Sequence, residues 1–119
     1  MNTYKTGDRD TRPWGTWEVL FSAPDYIVKR IVVASGGILS LQKHRHRIEH
    51  WVITRGVGTV TLGEKSRTVA AGEHVQIAKE QWHRIENRAA EPLEFVEVQM
   101  GEILDEADIE RRADKYNRA

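Results

Sequence analysis

The sequence predicts an all-β domain, a small barrel or sandwich, and three observations predict it. Short runs rich in β-branched and aromatic residues recur along the chain, turn residues separate them roughly every ten positions, and no helices alternate with them. At 119 residues the chain reads as one domain, 1–119, large enough to bury a core and too short for a second.

The elements follow in order. Residues 1–11 are polar and are expected to form a flexible arm, with Arg12-Pro13-Trp14-Gly15 able to pin its end. Trp14 and Trp17 read as plugs of a small β core. Residues 17–21 and 26–33 read as strands separated by the turn Ala23-Pro24-Asp25. Ser35-Gly36-Gly37 turns into the strand that carries Leu39 to Gln42, and Val52, Ile53 and Thr54 begin another. Residues 57–62 alternate, Gly63-Glu64-Lys65 reverses the chain into 67–70, and Ala71-Gly72 turns it into 74–77. Residues 83–87 and 93–100 supply the last strands. The tail, 105–117, is expected to be a helix capped by Asp105, with Asp108 in its first turn and Ile109, Ala113 and Tyr116 on one face.

Composition excludes several classes of function. The 18 basic and 18 acidic side chains balance, so bulk charge favours neither nucleic acid nor an anionic membrane. No apolar stretch approaches a membrane span, and the polar start MNTYKTGDRD is not a signal peptide. Without cysteine there are no disulfides or thiolate ligands, and the default location is the cytoplasm.

Chemistry concentrates between Gly36 and Gly56, where Gln42, His44, His46, Glu49 and His50 lie within nine residues. Imidazole, amide oxygen and carboxylate are donors for a borderline divalent metal. On an extended strand Gln42 and His44 share a face, with Leu39 and Leu41 on the other. Glu49 stands at the start of the next strand and can bring a third donor to the same point. His50 is expected to point away from it, and His74 to be an ordinary exposed or satisfied histidine.

Counting from the glycines, Gly36, Gln42, His44, Glu49 and Gly56 reproduce the spacing of the first cupin motif, with Gln42 where the first histidine usually stands. Gly72, Ala78, Glu80, His83 and Asn87 match the second, with Ala78 and Glu80 replacing its proline and second glycine. The chain thus resembles the cupins, which implies a double-stranded β-helix, a jelly-roll-like barrel. The segments RPWG, VKRIVV, LSLQ, HRIEHW and DIERRADKYNR narrow the resemblance to the C-terminal domain of type II mannose-6-phosphate isomerases, over about residues 12–118. Near Ile103 and Asn117 the family commonly has Tyr and Gly, so this chain departs from it there. In that family the domain usually follows a sugar-nucleotide transferase domain, which this sequence lacks, so nucleotidyl transfer is not carried over.

The resemblance and the spacings together nominate His44, Glu49 and His83 as metal ligands. Glycine register makes Gln42 the fourth, as does the Gln, His, Glu, His zinc set of the separate type I isomerases; donor strength favours His46 instead. Register is preferred, which leaves His46 beside the metal as a substrate contact or the catalytic proton carrier. The expected cofactor is one divalent ion, zinc first, with manganese, iron or nickel as alternatives. Lys29 and Arg30 read either as rim charges or as cations reaching into the barrel. Arg47 and Arg84, near Arg45, read either as a solvated rim or as phosphate ligands.

What the resemblance implies is a metal-dependent aldose-ketose isomerase of a phosphorylated sugar, most simply mannose 6-phosphate to fructose 6-phosphate. There the metal would polarise the carbonyl and a base would move the proton. The alternatives are a non-catalytic sugar-binding or regulatory cupin and, less well matched by a glutamine ligand, an oxygen-dependent metalloenzyme. The expected partners are a small sugar phosphate and, by analogy with cupins, a second copy in a homodimer.

Overall fold

The computed structural model describes residues 1–112. It is built from eleven strands and, among the described residues, contains no helix. In chain order they are β1 (Arg9–Arg12), β2 (Gly15–Ser22), β3 (Tyr26–Val33), β4 (Leu41–Lys43), β5 (Ile48–Arg55) and β6 (Val57–Leu62). There follow β7 (Lys65–Ala70), β8 (His74–Ile77), β9 (His83–Glu86), β10 (Leu93–Met100) and β11 (Glu110–Arg112). A six-stranded sheet, β1-β2-β3-β10-β5-β8, faces a five-stranded sheet, β11-β4-β9-β6-β7, and all the paired strands are antiparallel. This is the double-stranded β-helix of the cupins.

Alternation builds the layers. In β10 the side chains of Leu93, Phe95, Glu97 and Gln99 are buried while Val96 and Val98 lie on the outer face. Phe95, Ile53, Ile31, Trp51, Ile85, Leu93 and Val60 fill much of the space between the sheets, with the Trp51 ring tilted by 32° against Phe95 at 4.7 Å between ring centroids. The remainder is polar. Register sets Glu97 opposite Lys29 on β3 and opposite Trp51 on β5, and Gln99 opposite Glu49, so ionisable groups line one end of the core.

The turns explain the motif glycines. Gly56 has φ +80°, and a Cβ there would stand 2.5 Å from the Pro92 carbonyl oxygen. Glu80, where the motif has its second glycine, keeps the left-handed backbone at φ +64°, and its N–H donates to the His44 carbonyl at 2.8 Å. Asn87 is buried and ties three backbone groups, donating to Val33 and Glu91 and accepting from Ala89.

Two expectations are corrected. Residues 1–11 are not a free arm: Tyr4 is buried in the core, Thr3 N–H donates to Leu104 O at 2.9 Å, and Arg9–Arg12 pairs with β2. The aromatic ring of Tyr4, packed edge-on to Trp17 at 6.3 Å, is what anchors that polar stretch. The tail is not helical over 105–112, and the rest of the expected helix, 113–117, lies outside the described residues. Asp108 spends its carboxylate on the backbone N–H groups of Arg45 and His46, at 2.9 and 3.0 Å, and β11 adds to the edge of β4. Loop and edge groups thus take the partners a helix end would have used.

Candidate metal centre

His44, Glu49 and His83 converge inside the barrel, all buried, each offering one ligand atom within 4.8 Å of the others. His44 follows β4, Glu49 is on β5 and His83 opens β9, so both sheets contribute. The His44 Nε2 and Glu49 Oε2 atoms are 3.3 Å apart. Two donors each about 2.1 Å from one ion stand about 3.0 to 3.4 Å apart in octahedral or tetrahedral geometry, so this pair needs almost no adjustment.

The histidine tautomers fit a metal as well. His44 Nδ1 lies 2.6 Å from the Asp108 carbonyl oxygen and His83 Nδ1 lies 2.9 Å from that of Gln81. A carbonyl can only accept, so each Nδ1 carries the proton and each Nε2 keeps its lone pair for the site. Burial then holds both rings neutral: it lowers the His44 pKa to about 4 and depresses that of His83, in each case against the attraction of Glu49.

Glu49 is fixed through both oxygens, Oε1 accepting from Trp51 Nε1 at 2.9 Å and Oε2 from Arg47 Nε at 2.8 Å. Burial opposes its ionisation, but the Arg47 guanidinium, together with the Trp51 N–H, outweighs burial and holds the carboxyl well below its usual range. Gln42 stands directly opposite His83 in the β4–β9 pair and lines the same cavity, so it shares the face of the three donors.

The cavity measures about 100 Å³, room for roughly three waters. Five basic side chains, Arg12, Lys29, Arg47, Arg84 and Arg111, and three carboxylates, Glu49, Glu97 and Glu106, line it. Lys29 is buried opposite Glu97, with its ammonium 4.3 Å from the Trp17 ring centre and 3.4 Å from the Tyr4 hydroxyl. Burial raises the Glu97 pKa to about 7, reinforced by the charge of Glu49 and opposed by Lys29 and Arg47.

Several nominated residues lie elsewhere. Arg30, one position from Lys29, points to the outer face and pairs with Glu94 at 3.0 Å. His46 lies in an outer surface groove with Lys43, Arg45 and Asp108, and does not line the metal cavity. Strand parity between His44 and His46 is lost because both fall in the loop between β4 and β5. Arg84 lines the cavity, whereas Arg47 is no rim cation: it is buried against the ligand atoms. His50 does point away from Glu49, to the outside, where its Nδ1 is 2.9 Å from Nε2 of His74. Tyr4, Glu97 and Gln99 were not foreseen as part of the polar cavity. The only signal for the last two was that they share the strand parity of the apolar Leu93 and Phe95.

Comparison with known proteins agrees with this fold. The family model described as "Mannose-6-phosphate isomerase C-terminal" matches residues 1–114. A mannose-1-phosphate guanylyltransferase of Escherichia coli is 41% identical over 97% of this chain, and xanthan biosynthesis protein XanB of Xanthomonas campestris is 41% identical over 90%. The chain spans only 24% and 23% of those two proteins. A cupin-2 domain from Rhodospirillum rubrum superposes with TM-score 0.72 at 25% identity, covering 91% of this chain and 82% of that one. These findings correct the functional expectation, because the relatives are named for guanylyl transfer and polysaccharide biosynthesis, not for sugar-phosphate isomerisation. By sequence and fold, the chain belongs to the mannose-6-phosphate isomerase C-terminal family of cupin domains.

Proposed function

We propose that this chain is a metal-holding cupin domain of the kind found in mannose-1-phosphate guanylyltransferases, and that its cavity receives the phosphate-bearing end of a mannose phosphate. The observation that carries the reading is the pair of histidines whose Nδ1–H groups are tied to backbone carbonyls, which leaves two Nε2 lone pairs converging with a buried carboxylate. His44, Glu49 and His83 would hold the ion, with Gln42 as a fourth oxygen donor. When bound, the ion would act as a Lewis acid toward an oxygen of the ligand. Nitrogen and oxygen donors without sulfur suit zinc first, then manganese, iron or nickel.

The basic lining supports an anionic ligand, since five basic side chains face three acidic ones before any metal is added. A space of about 100 Å³ suits an ion with its waters or one end of a ligand, so the rest of a hexose would lie toward the rim, where Arg12 pairs with Glu106 at 3.0 Å. No helix among the described residues is long and apolar enough to cross a membrane. A cytoplasmic setting, as expected for a cysteine-free chain, goes with this reading.

The test is metal analysis followed by calorimetry. The purified chain should hold about one divalent ion, His83→Ala should lose it with the fold kept, and mannose 1-phosphate should bind the loaded protein more tightly than the stripped one. No uptake of added zinc, manganese, iron or nickel would overturn the metal centre. Metal uptake without binding of mannose 1-phosphate would overturn the ligand assignment.

A further inference from the structure

We propose that Arg47 is an internal cation that occupies the ligand face of the metal centre when no ion is there, and that it must turn away for an ion to bind. The inference rests on the metal reading above.

Arg47 Nε donates to Glu49 Oε2 at 2.8 Å, and Nη2 lies 3.2 Å from His44 Nε2. These are the two atoms of the 3.3 Å donor pair. Because the proton of His44 is on Nδ1, where it meets the Asp108 carbonyl, Nε2 can only accept, and the guanidinium N–H takes its lone pair. One imidazole lone pair cannot serve an N–H and a metal together. Charge gives the same answer: a buried guanidinium beside a divalent ion is repelled, whereas alone it neutralises a buried carboxylate that would be costly to leave unpaired.

The cavity offers the guanidinium a second seat. The Tyr4 hydroxyl and the Glu97 carboxyl, both buried, line the same cavity as Arg47 and attract its charge. Its third contact, Nη1 to the Asp105 carbonyl at 3.4 Å, is long and easily given up. Turning toward Glu97 would pair the guanidinium with a carboxylate while freeing Glu49 Oε2 and His44 Nε2 for the ion.

The experiment is competitive zinc titration against a chelator at pH 8 on the whole chain, with melting curves of the stripped protein. Arg47→Met should bind zinc about ten- to a hundredfold more tightly than wild type, the effect of releasing one charge-assisted hydrogen bond and one like charge. Stripped Arg47→Met should melt at a lower temperature than stripped wild type. Arg47→Lys, which keeps a charge but not the planar fork, should fall between. If Arg47→Met folds only when zinc is present, that also supports the proposal, because an ion then replaces the guanidinium.

Glu97→Gln should weaken zinc binding by about tenfold when Arg47 is present and leave it unchanged in Arg47→Met, since only the guanidinium needs the second seat. Equal or weaker zinc binding in both Arg47 variants would overturn the proposal while leaving the metal centre standing. Equal effects of Glu97→Gln in the two backgrounds would overturn the second seat. Absence of zinc binding in every protein would overturn the metal centre and this inference together.

Discussion

The indole N–H of Trp51 donates to Glu49 Oε1 at 2.9 Å, between two residues on the same face of one strand. The bond orients the carboxylate so that its other oxygen faces His44 and Arg47. It also leaves Trp51 free to do structural work, packing on Phe95 and edge-on to the His83 ring at 5.8 Å.

Trp51→Phe should therefore keep most of the packing but leave a buried carboxylate oxygen without its donor. We expect a loss of about 1–3 kcal/mol in urea unfolding, together with weaker metal binding because Glu49 is no longer held. Wild-type stability in the variant would show that the bond contributes nothing.

Glu80→Gly should stabilise the fold. At φ +64° an L side chain is strained, and relief is worth up to about 1 kcal/mol after the entropy cost of glycine. The ion pair lost with it, to Lys43 at 4.0 Å, involves an exposed carboxylate and contributes little. An unchanged or lower urea midpoint for Glu80→Gly would refute the strain argument.

Glu97 should give stripped protein a pH-dependent stability of definite sign. Its pKa rises from 4.5 in the open chain to about 7 in the fold, so between those values the folded state keeps a proton that the unfolded state releases. The contribution is complete below pH 4.5 and is lost as pH rises through 7. Melting temperatures of wild type and Glu97→Gln, taken at pH 5 and pH 8 with chelator, should show the difference moving in favour of the variant at the higher pH. Movement in the opposite direction would contradict the raised pKa.

The outer face of the six-stranded sheet is the surface on which the expected homodimer would form. Val52 and Met100 are exposed there, at 46% and 45%, beside the half-buried Val28, Val96 and Val98. Light scattering at micromolar concentration should give twice the chain mass, and Val52→Lys should reduce it to one chain. A monomeric wild type would remove this prediction.

What the sequence determined by itself is local or repeated. Two-residue alternation and turn residues placed β3, β6, β8 and β10 at their observed bounds, because both signals act over a few residues. Glycine spacing likewise brought His44, Glu49 and His83 together, and the left-handed backbone at Gly36, Gly56 and Gly72 shows why those positions carry the pattern.

Only the tertiary structure decided which polar groups the interior would accept. Parity says that Lys29 and Arg30 point in opposite directions, but pairing with Glu97 across β10 is what puts Lys29 inside. The tail was decided in the same way. Asp108 looks like a helix former's first-turn acid, yet it meets His44, Arg45 and His46 from more than sixty residues away. Arg47 reads from sequence as either a solvated rim charge or a phosphate ligand, and becomes a buried guanidinium only because Glu49 and His44 leave it a place among them. Each of these outcomes depends on partners distant in sequence, whose nearness is created by the closing of the two sheets and cannot be read from local pattern.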